Sequence, residues 1–259
     1  EEPAGEDRQA DHQQRQQDGE GQQQRHPERG AHVPAVHRHH DHEDEMFLVI
    51  EGRVDIQHHR IEKKDDVFLG GLRNVSLDKA GGDFCMQWDD DEYYHPDRVE
   101  KQMRYLLDNN LDAVVLRFAL MHLDVPEFVN NPYRIDGIDG IPGTILHRKS
   151  SVRYPNQRRS EDTRYMEGIA GQGKLGAMES GSHLFIRCFH GNNTWDRKHF
   201  FGKLKRTWGG MFHFWKAKYL QGDVLNHPSF QLNKEEKETV QDFLEMSREC
   251  GLLEAKAAL

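Results

Sequence analysis

The chain has 259 residues, room for one large domain with appendages, and its formal net charge of −9 does not mark nucleic acid or an anionic membrane as a partner. Only 36% of residues are hydrophobic, mean hydropathy is −0.90, and no apolar run reaches the length of a membrane span. Three widely spaced cysteines (Cys85, Cys188, Cys250) build no disulfide framework and fit a reducing compartment; with no signal peptide in the first residues, a cytoplasmic chain is expected, and peripheral membrane contact stays open.

In chain order, residues 1–45 are Gln, His, Arg, Asp, Glu and Gly, with Val33 and Val36 as the only large aliphatics. Such a stretch buries too little apolar surface to offset its ordering entropy, so it reads as a disordered low-complexity tail. Over half of the 17 histidines precede residue 60; a solvated tail is the plain reading, metal sequestration the other. Residues 46–68 hold a strand at Met46–Ile50, a weaker one at Arg53–Gln57 and a turn at Lys63–Asp66.

A globular pattern begins at residue 69. A helix is predicted over Leu72–Ala80, leading into Gly81-Gly82. Phe84, Met86 and Trp88 then alternate at strand period, and the strand runs into Asp89-Asp90-Asp91. A helix opens near Pro96, with Val99, Met103, Leu106 and Leu107 as its inward face. Further elements follow: a strand over Asp112–Leu120, a turn into a strand over Gly140–Leu146, a helix over Glu161–Ile169 and a strand over His183–Phe189. Near the end, Asn233 and Glu236 form a capping-box start for a helix with a stripe of Val240, Phe243, Leu244 and Cys250. Alternating strands and helices indicate a layered α/β domain.

The acidic run is where chemistry enters. Two residues apart at a predicted strand end, Asp89 and Asp91 project to one side and Asp90 to the other. Three adjacent carboxylates repel, and a divalent cation relieves that repulsion. Oxygen ligands of this kind suit Mg²⁺ or Mn²⁺, which bridge to phosphate oxygens. A solvated acidic loop is the alternative, but ligands of open α/β sheets gather beyond the carboxyl ends of strands, where this run is placed.

The stretch from Leu72-Arg73-Asn74 through Gly81-Gly82, Trp88-Asp89-Asp90-Asp91 and Pro96-Asp97-Arg98 resembles family 2 glycosyltransferases of the GT-A fold. Arg159-Ser-Glu-Asp-Thr163 resembles that family's Glu-Asp motif, and His190-Gly-Asn-Asn-Thr-Trp195 a His-Gly-x-Asn-Thr-Trp motif of a bacterial subset. The resemblance spans roughly residues 69–203. It implies a Rossmann-like mixed sheet flanked by helices, with a catalytic region at 69–209 and a helical extension at 210–259. It also implies transfer of a sugar from a nucleoside diphosphate sugar to a carbohydrate or other hydroxyl acceptor, with inversion. Asp91, Asp89 and His190 would hold Mn²⁺ or Mg²⁺, while Asp89, Arg73 and Trp195 would contact the donor. Asp162, with Glu161 as the alternate, would be the general base. Pro142-Gly143-Thr144 would line the sugar pocket with Trp195. A histidine satisfied inside the domain is an equal reading for His190, and a surface helix arginine nearly so for Arg73. The basic residues Arg148, Lys149, Arg153, Arg158 and Arg159 read as a solvated loop, and Trp88 and Trp208 as core packing.

The family's opening strand with its nucleobase loop, and its second strand ending in an Asp pair, have no counterpart before residue 69. The nucleotide half-site would be replaced or donated by another chain. The abrupt change of composition there also fits a junction between unlike sequences. Within the N-terminal stretch, His37-Arg38-His39-His40 through Glu45 to Gly52 resembles the first motif of cupins, whose histidines and glutamate hold a transition metal. Here Arg38 departs from the pattern and no second motif follows. The alternative to a transferase is thus a non-catalytic module, either metal-binding as that resemblance implies or a degenerate transferase.

Overall fold

The computed structural model describes residues 57, 59–61, 65–191, 202–205 and 208–253. The disordered tail expected at 1–45, the strand at Met46–Ile50, the cupin-like histidines and Trp195 lie outside the described residues. The chain divides into two units, Glu1–Ile61 and Glu62–Leu259, and every element below belongs to the second.

The spine is strand β3 (Ala113–Leu123), whose run of Val, Leu, Ala and Met is apolar toward both faces and is almost wholly buried. One edge pairs antiparallel with β4 (Tyr133–Arg148), which in turn pairs antiparallel with β1 (Phe84–Met86). The other edge is shared: its first half lies parallel to β5 (Leu175–Met178), its second half parallel to β6 (Phe185–Phe189). β6 carries the two-residue strand β2 (Tyr93–Tyr94), so the sheet order is β1-β4-β3-β6-β2 with β5 beside β3.

Register shifts break the β3–β4 ladder between Val114 and Phe118. A one-residue slip inverts which side chains face the core. Accordingly Val114 and Leu116 join Ala119, Met121 and Leu123 in one cluster, while Ala113 and Val115 face another. On β4 the irregularity shows as positive φ at Ile138 (58°) and Gly140 (105°). A Cβ at Gly140 would stand 2.2 Å from Val115 Cγ2, so this position excludes a side chain. The buried Thr144 repairs the ladder: its hydroxyl accepts from the Leu116 N–H at 2.9 Å and donates to the Ile141 carbonyl at 2.6 Å. The turn expected at Gly140 is thus a kink within one long strand, and Thr144 serves the backbone rather than a pocket wall.

Helices cover both faces. α1 (Leu69–Lys79) and α3 (Glu161–Ala170) sit over Ala113, Val115 and Ile145, and α2 (Arg98–Asp108) covers Val114 and Leu116. The mixed sheet flanked by helices is therefore present. α2 corrects the expected inward face: Val99 and Leu107 are exposed, and Arg98, Gln102 and Leu106 point inward. β1 is shorter than expected, and Cys85 rather than Phe84 or Met86 is its most buried residue. Trp88 is not core either; it is 53% exposed and stacks on Tyr94 at 4.0 Å.

α4 (Trp208–Trp215) runs on as a wider turn to Leu220, and α5 (Lys234–Glu249) begins with the expected capping box, Asn233 and Glu236 each bonding the other's backbone N–H. Val240, Phe243 and Leu244 pack on Leu120 and Ile186, while Cys250 lies outside the stripe, exposed. Glu236 accepts from Arg134 of β4 and from the Ser182 hydroxyl. α5 is thereby built into the same compact unit as the sheet. No helix among the described residues is long and apolar enough to cross a membrane.

Candidate functional site

α1 is held tightly by what it packs against. A Cβ on Gly70 would fall 1.9 Å from the Pro155 carbonyl oxygen, so the helix approaches the 154–156 loop as only glycine allows. Asn74 clamps that loop from both sides, donating to the Tyr154 carbonyl and accepting from the Tyr154 N–H, each at 2.8 Å. Tyr154 stacks on Tyr165 of α3 at 3.7 Å and donates its hydroxyl to Gln87 Oε1 at 3.1 Å. This framework aims Arg73 inward. Its Nη2 donates to Asp89 Oδ1 at 2.7 Å and its Nη1 to Glu161 Oε1 at 2.9 Å.

Arg73 is therefore no surface arginine; it ties the acidic run to the Glu-Asp helix. Asp89 Oδ2 accepts from Gln87 Nε2 at 3.1 Å, and the Asp89 N–H donates to the Tyr94 hydroxyl at 2.6 Å. The position of a Cβ on Gly143 would be 3.8 Å from Asp89 Oδ2, which sets β4 against this carboxylate.

β1 ends at Met86, and Asp90 and Asp91 lie in a turn. Strand alternation therefore does not set the two carboxylates on one side. Asp89 is committed to Arg73 and Gln87, whereas Asp91 Oδ2 lies 3.3 Å from His190 Nε2 just beyond β6. Asp91 and His190 are both well exposed, so the reading of His190 as a histidine satisfied inside the domain does not hold. Asp90 is exposed as well.

The buried carboxyl in this stretch is Glu92. Burial pushes it up to about 8, against the pull of Arg187 and of the Cys188 N–H that donates to it. Burial also raises Glu161, with the Arg73 guanidinium opposing. Next to it, Asp162 is half-buried and its Oδ1 accepts from the Thr163 N–H at 2.7 Å.

Behind the acidic turn sits Arg98, fully buried with no carboxylate partner given by its hydrogen bonds. It donates to Gln102 Oε1 at 2.9 Å and lies over the rings of Tyr94 (4.5 Å), Trp88 (5.1 Å) and Phe185 (5.7 Å). Its Nη1 has no hydrogen-bond partner, and burial lowers its pKa to about 10. Beside the Asp91–His190 pair a cleft of about 360 Å³ opens, bounded by Asp90, His122, Phe189, Phe243 and Ser247.

Neighbouring ligands of an octahedral ion at about 2.1 Å stand about 3 Å apart, close to the 3.3 Å between Asp91 and His190. One carboxylate oxygen and one imidazole suit Mn²⁺ or Mg²⁺, which complete their shells with water and phosphate oxygens. Among the described residues no group of three His, Cys, Asp or Glu is gathered, so protein ligands alone would not fill the shell. Of the residues singled out in the sequence, the fold joins Arg73, Asp89 and Glu161, and separately Asp91 and His190. Tyr154, Gln87, Tyr94 and Arg98 had escaped notice, because single buried polar residues leave no periodic signal. Arg148, Lys149, Arg153 and Arg158, read as a solvated loop, have partners in distant segments: Arg148, the last residue of β4, lies over the Phe84 ring, Lys149 donates to the Ala80 carbonyl, Arg153 pairs with Asp78 at 2.9 Å and Arg158 lies over the Phe68 ring.

The model of glycosyl transferase family 2 matches residues 55–165. It takes in Arg73, Asp89–Asp91, Glu161 and Asp162, and it begins inside the 46–68 stretch set apart above; His190 lies beyond it. An uncharacterized glycosyltransferase of Haemophilus influenzae is 26% identical over 141 aligned positions, covering 45% of this chain and 56% of that protein. The chain thus spans about half the length of the curated relative it matches. Among solved structures, S. aureus TarS 1–349 is 12% identical with a TM-score of 0.45, over 82% of this chain and 80% of that one. Its complex with UDP-GlcNAc gives 13% identity and a TM-score of 0.45, over 78% and 67%.

Proposed function

We propose that this chain, whose residues 55–165 match the model of glycosyl transferase family 2, transfers a sugar from a nucleoside diphosphate sugar to a hydroxyl of a carbohydrate or other acceptor, with inversion. The observation that carries this reading is the Arg73 bridge, which joins the acidic run at Asp89 to the Glu-Asp helix at Glu161. Asp91 and His190 would hold Mn²⁺ or Mg²⁺, and the bound ion would supply positive charge to offset that of the departing diphosphate. Asp89, fixed by Arg73 and Gln87, faces the donor. Asp162 takes the proton of the acceptor hydroxyl as the new bond to the anomeric carbon forms. The bond to the diphosphate oxygen breaks in the same displacement, and its electron pair leaves with the diphosphate. Glu161 does not take that proton; it holds Arg73, and Arg73 holds Asp89.

The test is turnover of a panel of nucleoside diphosphate sugars by the full chain, with Mn²⁺, Mg²⁺ or EDTA. Nucleoside diphosphate release that needs the metal and is lost in Asp91→Ala supports the reading. A folded chain that neither binds nor turns over any donor with metal present sinks it.

A further inference from the structure

The net charge of −9 hides a local reversal: between Arg197 and Gly222 the sequence holds seven Lys and Arg and no Asp or Glu. α4 and the wider turn that follows it form the described part of this stretch. Their inward side is Phe214 and Ala217, almost fully buried. Their outward side is also apolar: Phe212 is 66% exposed, Trp215 54%, Tyr219 59% and Leu220 82%. The spacing i, i+3, i+7, i+8 places these four on one face, and Trp215 stacks on Tyr219 at 4.7 Å and 19°. Lys216 and Lys218 flank the face, both exposed, with Lys218 Nζ 5.3 Å from the Tyr219 ring.

Four large apolar side chains exposed side by side mark a contact surface rather than scattered surface residues. We propose that this face beds into the headgroup region of an anionic lipid bilayer, with Phe212, Trp215, Tyr219 and Leu220 entering the interface and Lys216 and Lys218 meeting lipid phosphates. Trp and Tyr beside lysines on an exposed helix face are the composition of an interfacial helix. The charge pattern favours a membrane over a protein partner. A protein partner is registered by alternating charges, and this stretch offers only one sign, which suits a continuous anionic plane. The assignment stands apart from the sugar-transfer reading, since none of these residues belongs to the site above.

The test is flotation of the full chain with vesicles of phosphatidylcholine alone or of equal parts phosphatidylcholine and phosphatidylglycerol. Binding is expected with the mixed vesicles only, and it weakens as salt rises. Each lysine near such a surface contributes about fivefold, so Lys216→Gln with Lys218→Gln should lower partitioning about twenty-fivefold. Phe212→Ser with Trp215→Ser should abolish binding while leaving the thermal unfolding midpoint in place. Absence of binding, or equal binding to both vesicles that survives the lysine variants, overturns the proposal. So does self-association of the wild-type chain that requires Trp215 and occurs without vesicle binding, since a second copy would then cover the face.

Discussion

Arg73 and Glu161, 88 positions apart in the chain, meet at 2.9 Å, and the same guanidinium reaches Asp89 at 2.7 Å with its other nitrogen. Removing Arg73 leaves two carboxylates, one of them buried, without their shared cation. Breaking a buried pair costs about 3–5 kcal/mol. Asp89 is 31% exposed, and solvent screens part of that loss, so Arg73→Ala should cost about 2–3 kcal/mol. A single ammonium cannot reproduce the two-pronged contact, so Arg73→Lys should recover only part of it. Urea unfolding measures both, and an Arg73→Ala chain as stable as the wild type would contradict the bridge.

Asp91 and His190 stand as two neighbours in a metal shell stand. Calorimetric titration with Mn²⁺ and a nucleoside diphosphate should therefore show affinity about 10–100-fold weaker in Asp91→Ala and in His190→Ala. Asp90→Ala, altering an exposed neighbour with no described contact to the pair, should bind as the wild type does. Equal losses in all three would mean that the acidic turn acts as a diffuse field rather than through one pair.

The legible part of this site was what repeats a local pattern. The Asn233 and Glu236 capping box, the apolar run of β3 and the positions of Arg73, Asp89, Glu161 and His190 could each be placed from neighbouring residues. What could not be read depends on contacts between distant segments. Arg98 directs α2 inward through aromatic rings contributed by Tyr94 and Phe185, so counting apolar residues put Val99 and Leu107 on the wrong side. Gly140 and Thr144 looked like a turn because the register shift that uses them belongs to β3. Asp89 and Asp91 took different partners because β1 stops before reaching them.

Asp162 is assigned the acceptor's proton and Glu161 the holding of Arg73, and the two roles separate by experiment. Asp162→Asn should lower turnover about 10²–10⁴-fold with donor binding and stability retained. Glu161→Gln should instead weaken the Arg73 bridge and shift the urea midpoint. Initial rates at saturating donor, set beside unfolding curves, distinguish them. If Glu161→Gln keeps full stability and loses the rate, the roles are reversed.

Gly70 sets how close α1 comes to the site. A methyl group there would lie 1.9 Å from backbone oxygen at Pro155, which cannot rotate away. Gly70→Ala must push the helix outward and stretch the Asn74–Tyr154 clamp. Overpacking of this kind costs about 1–3 kcal/mol. Donor affinity should fall with stability, because Arg73 moves with the helix. Gly81, where an added Cβ meets nothing within 4 Å, is the control, and Gly81→Ala should change neither.

Glu236 makes stability depend on acid. Although burial alone would raise its carboxyl, hydrogen bonds from Arg134, Ser182 and the Asn233 N–H outweigh burial and hold it below its ordinary value of 4.5. A carboxylate depressed in the folded state binds its proton more readily when unfolded. Its stabilisation is complete above pH 4.5 and is lost as pH falls through the lower folded value. Glu236→Gln keeps the shape and removes the charge. With Arg134 about a third exposed, the loss should be about 2–3 kcal/mol at pH 7. As pH falls below 4.5 and through the lower folded value, the gap between variant and wild type should close, because the wild-type side chain is then neutralised too. Urea midpoints for both proteins from pH 7 down to pH 3 give the comparison, and a gap that stays constant over that range would show that the charge of Glu236 is not what holds α5 to β4.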